Sequence, residues 1–278
     1  MPPPAAPSAI AESLLAFWAD AGVDAMLLDD PVDRIAAGRV APPRPAERKT
    51  PVAAPAPGRR AQPDVSAAVA QARDLAAAAD SLDALAAAIA AFDGCPLKFE
   101  GASQAVVWRG DPAAPLMVIG EAPGADEDRQ GEPFVGRAGQ MLDRMLAAAG
   151  LTGRVLITNT VFWRPPGNRN PTTAEQAVCA PFVERAIALV QPKMLLLVGG
   201  ASAKAMLNTE DGILSLRGRW HEWRPAGDAV ALPAMPTLHP AFLLRQPAAK
   251  KHAWTDLLML TQRLMLTERL DRPDRPAN

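Results

Sequence analysis

Four short apolar runs mark the second half of the chain: PLMVIG at 115–120, RVLITN at 154–159, KMLLLVG at 193–199 and ALPAMPTLH at 231–239. They are nearly unbroken rather than alternating, the pattern of strands covered on both faces. Between them, 138–149, 173–190 and 201–207 carry apolar residues at helical spacing. Strands that alternate with helices predict an α/β fold with a parallel sheet between helical layers. Pro233 and Pro236 interrupt the fourth run, and proline cannot donate to a ladder, so this strand is expected near an edge.

Upstream the pattern differs. The Ala-rich stretch 64–91 predicts two short helices, with Ser81 capping the second. Residues 8–22 place Ile10, Leu14, Leu15 and Trp18 on one helical face, with Ser8 and Glu12 near its start. Between these, 41–63 holds seven prolines and no periodic apolar face, which reads as an extended linker. The expected organisation is a short helical N-terminal segment over 1–40, a Pro/Ala-rich linker over 41–63 and one α/β domain over 64–278.

Composition adds limits. The chain is 49% apolar and 21% charged, ordinary for a globular protein. Its net charge of −1 shows no global basicity. Charge is locally uneven: Arg217, Arg219, Arg224, Arg245, Lys250 and Lys251 face only Glu222 and Asp228 between 215 and 252, enough to attract phosphates. No apolar run reaches the roughly 18 residues of a membrane span, and the start MPPPAAPS lacks the features of a secretory signal. Two cysteines are too few for a disulfide scaffold, so a reducing cytoplasm is the expected setting.

Ligands of open α/β sheets bind beyond the carboxyl ends of the strands. Three of those ends carry Gly120-Glu121, Asn159 and His239, so a carboxylate, an amide and an imidazole can meet in one crevice. Taken singly, a strand-ending His is more often structural and a strand-ending Asn often caps a turn. Their joint placement favours a site. VGGASAK at 198–204 lacks the full GxxxxGK[ST] pattern, and close helix packing explains its glycines better than phosphate does.

GEAPGADEDRQGEPFVGRAGQMLDRML (120–146) resembles the first motif of the uracil-DNA glycosylase superfamily, specifically its iron–sulfur family 4. TNTVFWRPPGNRNPT (158–172) resembles the second motif and LHPAFLLRQP (238–247) the third, and LRGRWHEW (216–223) also fits. The resemblance implies a three-layer α/β/α sandwich around a central four-stranded parallel sheet. It also implies hydrolysis of the N-glycosidic bond of deoxyuridine in single- or double-stranded DNA, releasing uracil and leaving an abasic site. The nucleotide must be flipped out of the stack into a pocket.

Within that resemblance Phe134 is the expected base-stacking aromatic. Asn159 is the uracil reader, since a carboxamide offers one donor and one acceptor to O4 and N3–H, a pattern that cytosine reverses. His239 is placed near uracil O2, to stabilise the leaving anion by hydrogen bonding or charge. Backbone around Ala122 and Gly124 completes the pocket. Glu121 is the first candidate to orient water and stabilise the sugar cation, and Glu127 the second. Asp126 and Asp128 read as a solvated acidic loop. The tyrosine that bars thymine in family 1 is replaced by Gly124, and the chain contains no tyrosine; thymine rejection then falls to Glu127, Phe134 or the local backbone.

Leu243, Leu244 and Arg245 are candidates to fill the gap left by the flipped base. Arg245, Lys250, Arg164 and Arg169, with Asn170, are candidates for DNA contact. Family 4 holds a [4Fe–4S] cluster through four cysteines. Here Cys95 and Cys179 match two of them, whereas Phe92 and Trp163 stand in the other two places. Two thiolates do not complete the set; the expectation is no metal, with the two aromatics filling the space and the two thiols close enough for a disulfide under oxidation. Alternative functions are a glycosylase of broader range, including hypoxanthine and xanthine, and a non-catalytic DNA-binding homologue. A monomer is expected, with the N-terminal helix docking on the core or on a protein partner.

Overall fold

Four of the strands are buried and almost wholly apolar, with polar residues only at the carboxyl ends of two, which fits the doubly covered reading. They are β2 (Leu116–Gly120), β3 (Val155–Asn159), β4 (Met194–Val198) and β6 (Leu232–Thr237), whose first two residues alone are half-buried. The computed structural model describes residues 65–225 and 231–270, so the helix expected at 8–22 and the linker at 41–63 lie outside the described residues. The sheet order is β1-β3-β2-β4-β6-β5. The four long strands form its parallel centre.

The expected central four-stranded parallel sheet is present, and β1 (Trp108–Gly110) and β5 (His221–Trp223) extend it to six strands with antiparallel edges. Each is three residues long and only partly buried, too short to show a period. β6 lies near an edge as expected, one strand in from it, with Pro233 opposite Glu222 of β5.

Alternate residues of each strand feed two cores. Met117, Ile119, Leu156, Leu195 and Leu197 face α1 (Val65–Ala78), α2 (Leu82–Ala91), α5 (Thr173–Val190) and α6 (Gly200–Leu207). Leu116, Val118, Ile157, Leu196 and Met235 face α4 (Arg137–Ala148), α8 (Pro240–Arg245) and α9 (Lys250–Leu270). Two short helices, α3 (Ala125–Gln130) and α7 (Ile213–Leu216), lie in connections. The result is the three-layer α/β/α sandwich.

Local chemistry starts the helices where the sequence indicates. Ser81 Oγ accepts the Ala84 N–H at 3.3 Å, and Thr172 with Glu175 forms a reciprocal capping box on α5. The small face Ala68, Ala72 and Ala76 lets α1 approach α5 closely, and Arg185 of α5 donates twice to the Ala79 carbonyl at the end of α1. Among the described residues no helix is long and apolar enough to cross a membrane.

Candidate active site

Parallel register puts Gly120 beside Asn159, so β2 and β3 end together. Their following loops are tied: Thr160 N–H donates to the Gly120 carbonyl at 3.0 Å, and Thr160 Oγ1 to the Glu121 carbonyl at 2.7 Å. Glu121 and Asn159 therefore leave the sheet side by side. Both polar side-chain atoms of the Asn159 amide, and Glu121 Oε1, are buried with no hydrogen-bond partner among the described residues. Leaving such a group unsatisfied costs about 1–3 kcal/mol, and these are the only such side-chain atoms among the described residues. The cost is concentrated at one point, the carboxyl end of the sheet centre.

Phe134 and His239 border the same point. A methyl on Gly120 would lie 2.4 Å from both Asn159 Oδ1 and the Phe134 ring, so glycine forms the floor on which amide and aromatic meet. Phe134 and His239 have ring centroids 5.9 Å apart. Phe134 is buried and takes a left-handed backbone, φ 58°. That conformation is an outlier for a bulky residue and costs about 1–3 kcal/mol. Strain of this kind at a strand-end crevice marks a position where the ring's direction matters.

His239 is the N-cap of α8, and its Nδ1 accepts the Ala241 N–H at 3.2 Å. In the neutral ring the proton must then sit on Nε2, which becomes a donor. Burial, aided by the charge of Arg245, lowers the imidazole pKa to about 4. Above that value the ring is uncharged and offers Nε2–H as a donor. Burial raises the Glu121 carboxyl above its ordinary range.

The remaining candidates divide. Glu127 Oε2 accepts the Gly124 N–H at 3.0 Å and its Oε1 the Gly136 N–H at 2.9 Å, so this carboxylate straps two loop segments and both its oxygens are engaged. Ala122 and Gly124 lie half-buried in the same loop. The solvated acidic loop is instead α3, and Asp128 is buried, accepting from the Ser103 N–H and hydroxyl at 2.7 and 2.9 Å. Six residues rich in acid carry no apolar stripe, which hid this helix.

On the outer face, Leu243 is fully buried and is a wall of the core, not a free wedge; Leu244 is half-buried and Arg245 exposed. Arg169 is held by Glu175, at 2.6 Å, and by Glu100, so its charge is already matched. Arg164 donates to the Asn168 side chain. Arg217 pairs with buried Asp256 and Arg224 with Glu222, which removes two cations from the basic stretch. Lys250 instead joins Lys251 of that stretch and Arg144, a cation not singled out above, around an apolar groove of about 500 Å³ whose lining includes Met145, Leu243 and Trp254. None of Glu121, Phe134, Asn159 or His239 lines it, so it flanks the crevice rather than forming it.

Cys95 and Cys179 are free, fully buried and within hydrogen-bonding reach of each other. Burial pushes the Cys179 thiol well above its usual value. Phe92 and Trp163 are each 1% exposed in the same core, with Phe92 edge-on to Phe182 at 5.2 Å. No group of three or more His, Cys, Asp or Glu fit to hold a metal exists among the described residues. Two buried thiols among packed aromatics do not supply the four thiolates of such a cluster.

Residues 107–258 match the model of the uracil DNA glycosylase superfamily. A type-4 uracil-DNA glycosylase of Pyrobaculum aerophilum is 39% identical over 173 residues, 60% of this chain and 86% of that protein. Relatives of the same description in Sulfurisphaera tokodaii and Thermotoga maritima are each 35% identical, over 62% and 54% of this chain and 80% and 77% of theirs.

Proposed function

Because this chain belongs to the uracil-DNA glycosylase superfamily, in its type-4 branch, we propose that it hydrolyses the N-glycosidic bond of deoxyuridine in DNA as the first step of base-excision repair. The observation that carries this reading is the set of unpartnered polar atoms on Asn159 and Glu121 beneath a strained Phe134. A planar base with a donor and an acceptor on one edge matches the Asn159 amide. Phe134 stacks the flipped ring, and His239 Nε2–H donates to uracil O2.

In the reaction the C1′–N1 bond breaks and its electron pair leaves with uracil as an anion, which the neutral His239 donor stabilises. The carboxylate of Glu121 faces the cationic sugar and holds the attacking water. The water oxygen bonds to C1′, and its proton passes to Glu121 or to solvent. The chain's two cysteines do not complete a four-thiolate cluster set, and Phe92 and Trp163 fill the space of the other two ligands. DNA lies over α8, with Leu244 and Arg245 toward the gap and Arg144, Lys250 and Lys251 toward phosphates. The protein acts as a monomer in the cytoplasm, where two buried free thiols stay reduced.

Oligonucleotides carrying uracil, thymine or hypoxanthine test this directly. The expected result is abasic product from uracil, reduced by about 10²–10³ in Asn159→Ala, the scale of losing a positioned hydrogen-bonding group. Product from hypoxanthine at a comparable rate would widen the substrate class. No product from any of them would leave a DNA-binding homologue.

A further inference from the structure

Arg109 stands on β1, the three-residue edge strand, and no motif points to it. Its Nε donates to the Pro133 carbonyl at 2.7 Å, and its Nη2 to the Phe134 carbonyl at 3.2 Å and to the Asp143 carboxylate at 2.6 Å. The two carbonyls are those on either side of the left-handed Phe134 backbone. α4 presses against the same peptide: a methyl on Gly139 would lie 1.6 Å from the Phe134 carbonyl oxygen. The Phe134 backbone is thus held by both a guanidinium and a helix.

We propose that Arg109, oriented by Asp143, is a positioning residue that fixes the height and tilt of the Phe134 ring against the bound base. The proposal rests on Phe134 being the stacking aromatic. Relaxing Phe134 to an ordinary extended backbone requires its flanking peptides to rotate and its carbonyls to swing away. Two charge-assisted bonds hold those carbonyls in place. The planar fork of arginine spans both carbonyls and a carboxylate at once, whereas a lysine ammonium is a single point charge. Arg109 touches the base nowhere in this scheme; it acts through the ring.

A double-mutant cycle on the full-length protein separates this role from simple stability. The readouts are inhibition by free uracil, KM and kcat on a uracil-containing duplex, and thermal unfolding. Arg109→Gln is expected to weaken uracil inhibition and raise KM by about tenfold, with Arg109→Lys recovering part of the loss, while in a Phe134→Ala background the same change adds less than about twofold. The fall in melting temperature should be the same in both backgrounds. Asp143→Asn, which spares the carbonyl bonds, gives a smaller effect of the same kind and serves if Arg109→Gln does not fold. Unchanged uracil inhibition in Arg109→Gln, or an equal loss with and without the Phe134 ring, overturns the proposal. If Phe134→Ala itself binds uracil as the wild type does, the stacking reading fails first, and the proposal with it.

Discussion

Two titrating groups share the crevice, and burial moves them in opposite directions. His239, with its pKa near 4, stays neutral from about pH 5 to 8, so rates in that window owe no limb to it. Glu121 must be ionised to face a cation, and burial raises its pKa. The pH profile of kcat/KM is therefore expected to fall on the acid side, with a midpoint above the ordinary glutamate value of about 4.3. In Glu121→Gln that limb disappears along with most of the activity. Stability follows the same group with the opposite sign. A carboxyl whose folded pKa exceeds its unfolded one binds its proton more tightly in the native state, so folding loses stability as pH rises through that window. Glu121→Gln should melt higher than the wild type at pH 8, and the gap should close on acidification. A variant that melts lower at pH 8 would show that the Glu121 charge stabilises the fold instead of serving the reaction.

At the scale of elements, α9 is fastened to the sheet by a polar contact inside an otherwise apolar core. Asp256 is fully buried, accepts two hydrogen bonds from Arg217, and takes the Thr237 hydroxyl at 2.8 Å near the end of β6. Removing one partner of a buried pair leaves the other charge unmatched, at about 3–5 kcal/mol. Asp256→Ala is thus expected to lower the melting temperature by roughly 10 °C, at about 2–4 °C per kcal/mol for a domain of this size. Differential scanning calorimetry checks it; a loss under a few degrees would mean that Arg217 reaches solvent freely. This fastening was not legible in the sequence, because an acid inside an amphipathic helix looks the same whether it faces water or a core arginine. The central strands were legible, since double burial leaves a continuous apolar run. So were α5, whose apolar residues recur at helical spacing, and the Ser81 cap of α2, which local chemistry sets. The edges β1 and β5 and the helix α3 were not, being too short to carry a period. In the site, Glu121, Asn159 and His239 could be placed from strand ends alone. The left-handed Phe134 and the burial of Leu243 depend on what packs against them, which no local pattern records.

Across the whole molecule, the layer formed by α1, α2 and α5 is joined to the sheet through one aromatic cluster. Phe162 lies edge-on to Trp163 at 6.2 Å and to Phe182 at 6.4 Å, and Phe182 meets Phe92. Trp163 is therefore unavailable to a DNA base, although its loop leads directly from Asn159. If these rings occupy the space of two missing ligands, they stabilise by packing what a cluster would stabilise by coordination. Truncating a buried Phe or Trp costs about 3–5 kcal/mol, so Phe92→Cys/Trp163→Cys should unfold well below the wild type while restoring a set of four thiols. Metal that binds only the folded state raises its stability in turn. Anaerobic reconstitution with iron and sulfide is then expected to colour the double variant brown and recover part of the lost melting temperature. The wild type, handled identically and purified without air, should hold no stoichiometric iron and show no change in melting. Iron in the wild type at about one cluster per chain would sink the packing account, since two thiols and two rings would then have to be holding it.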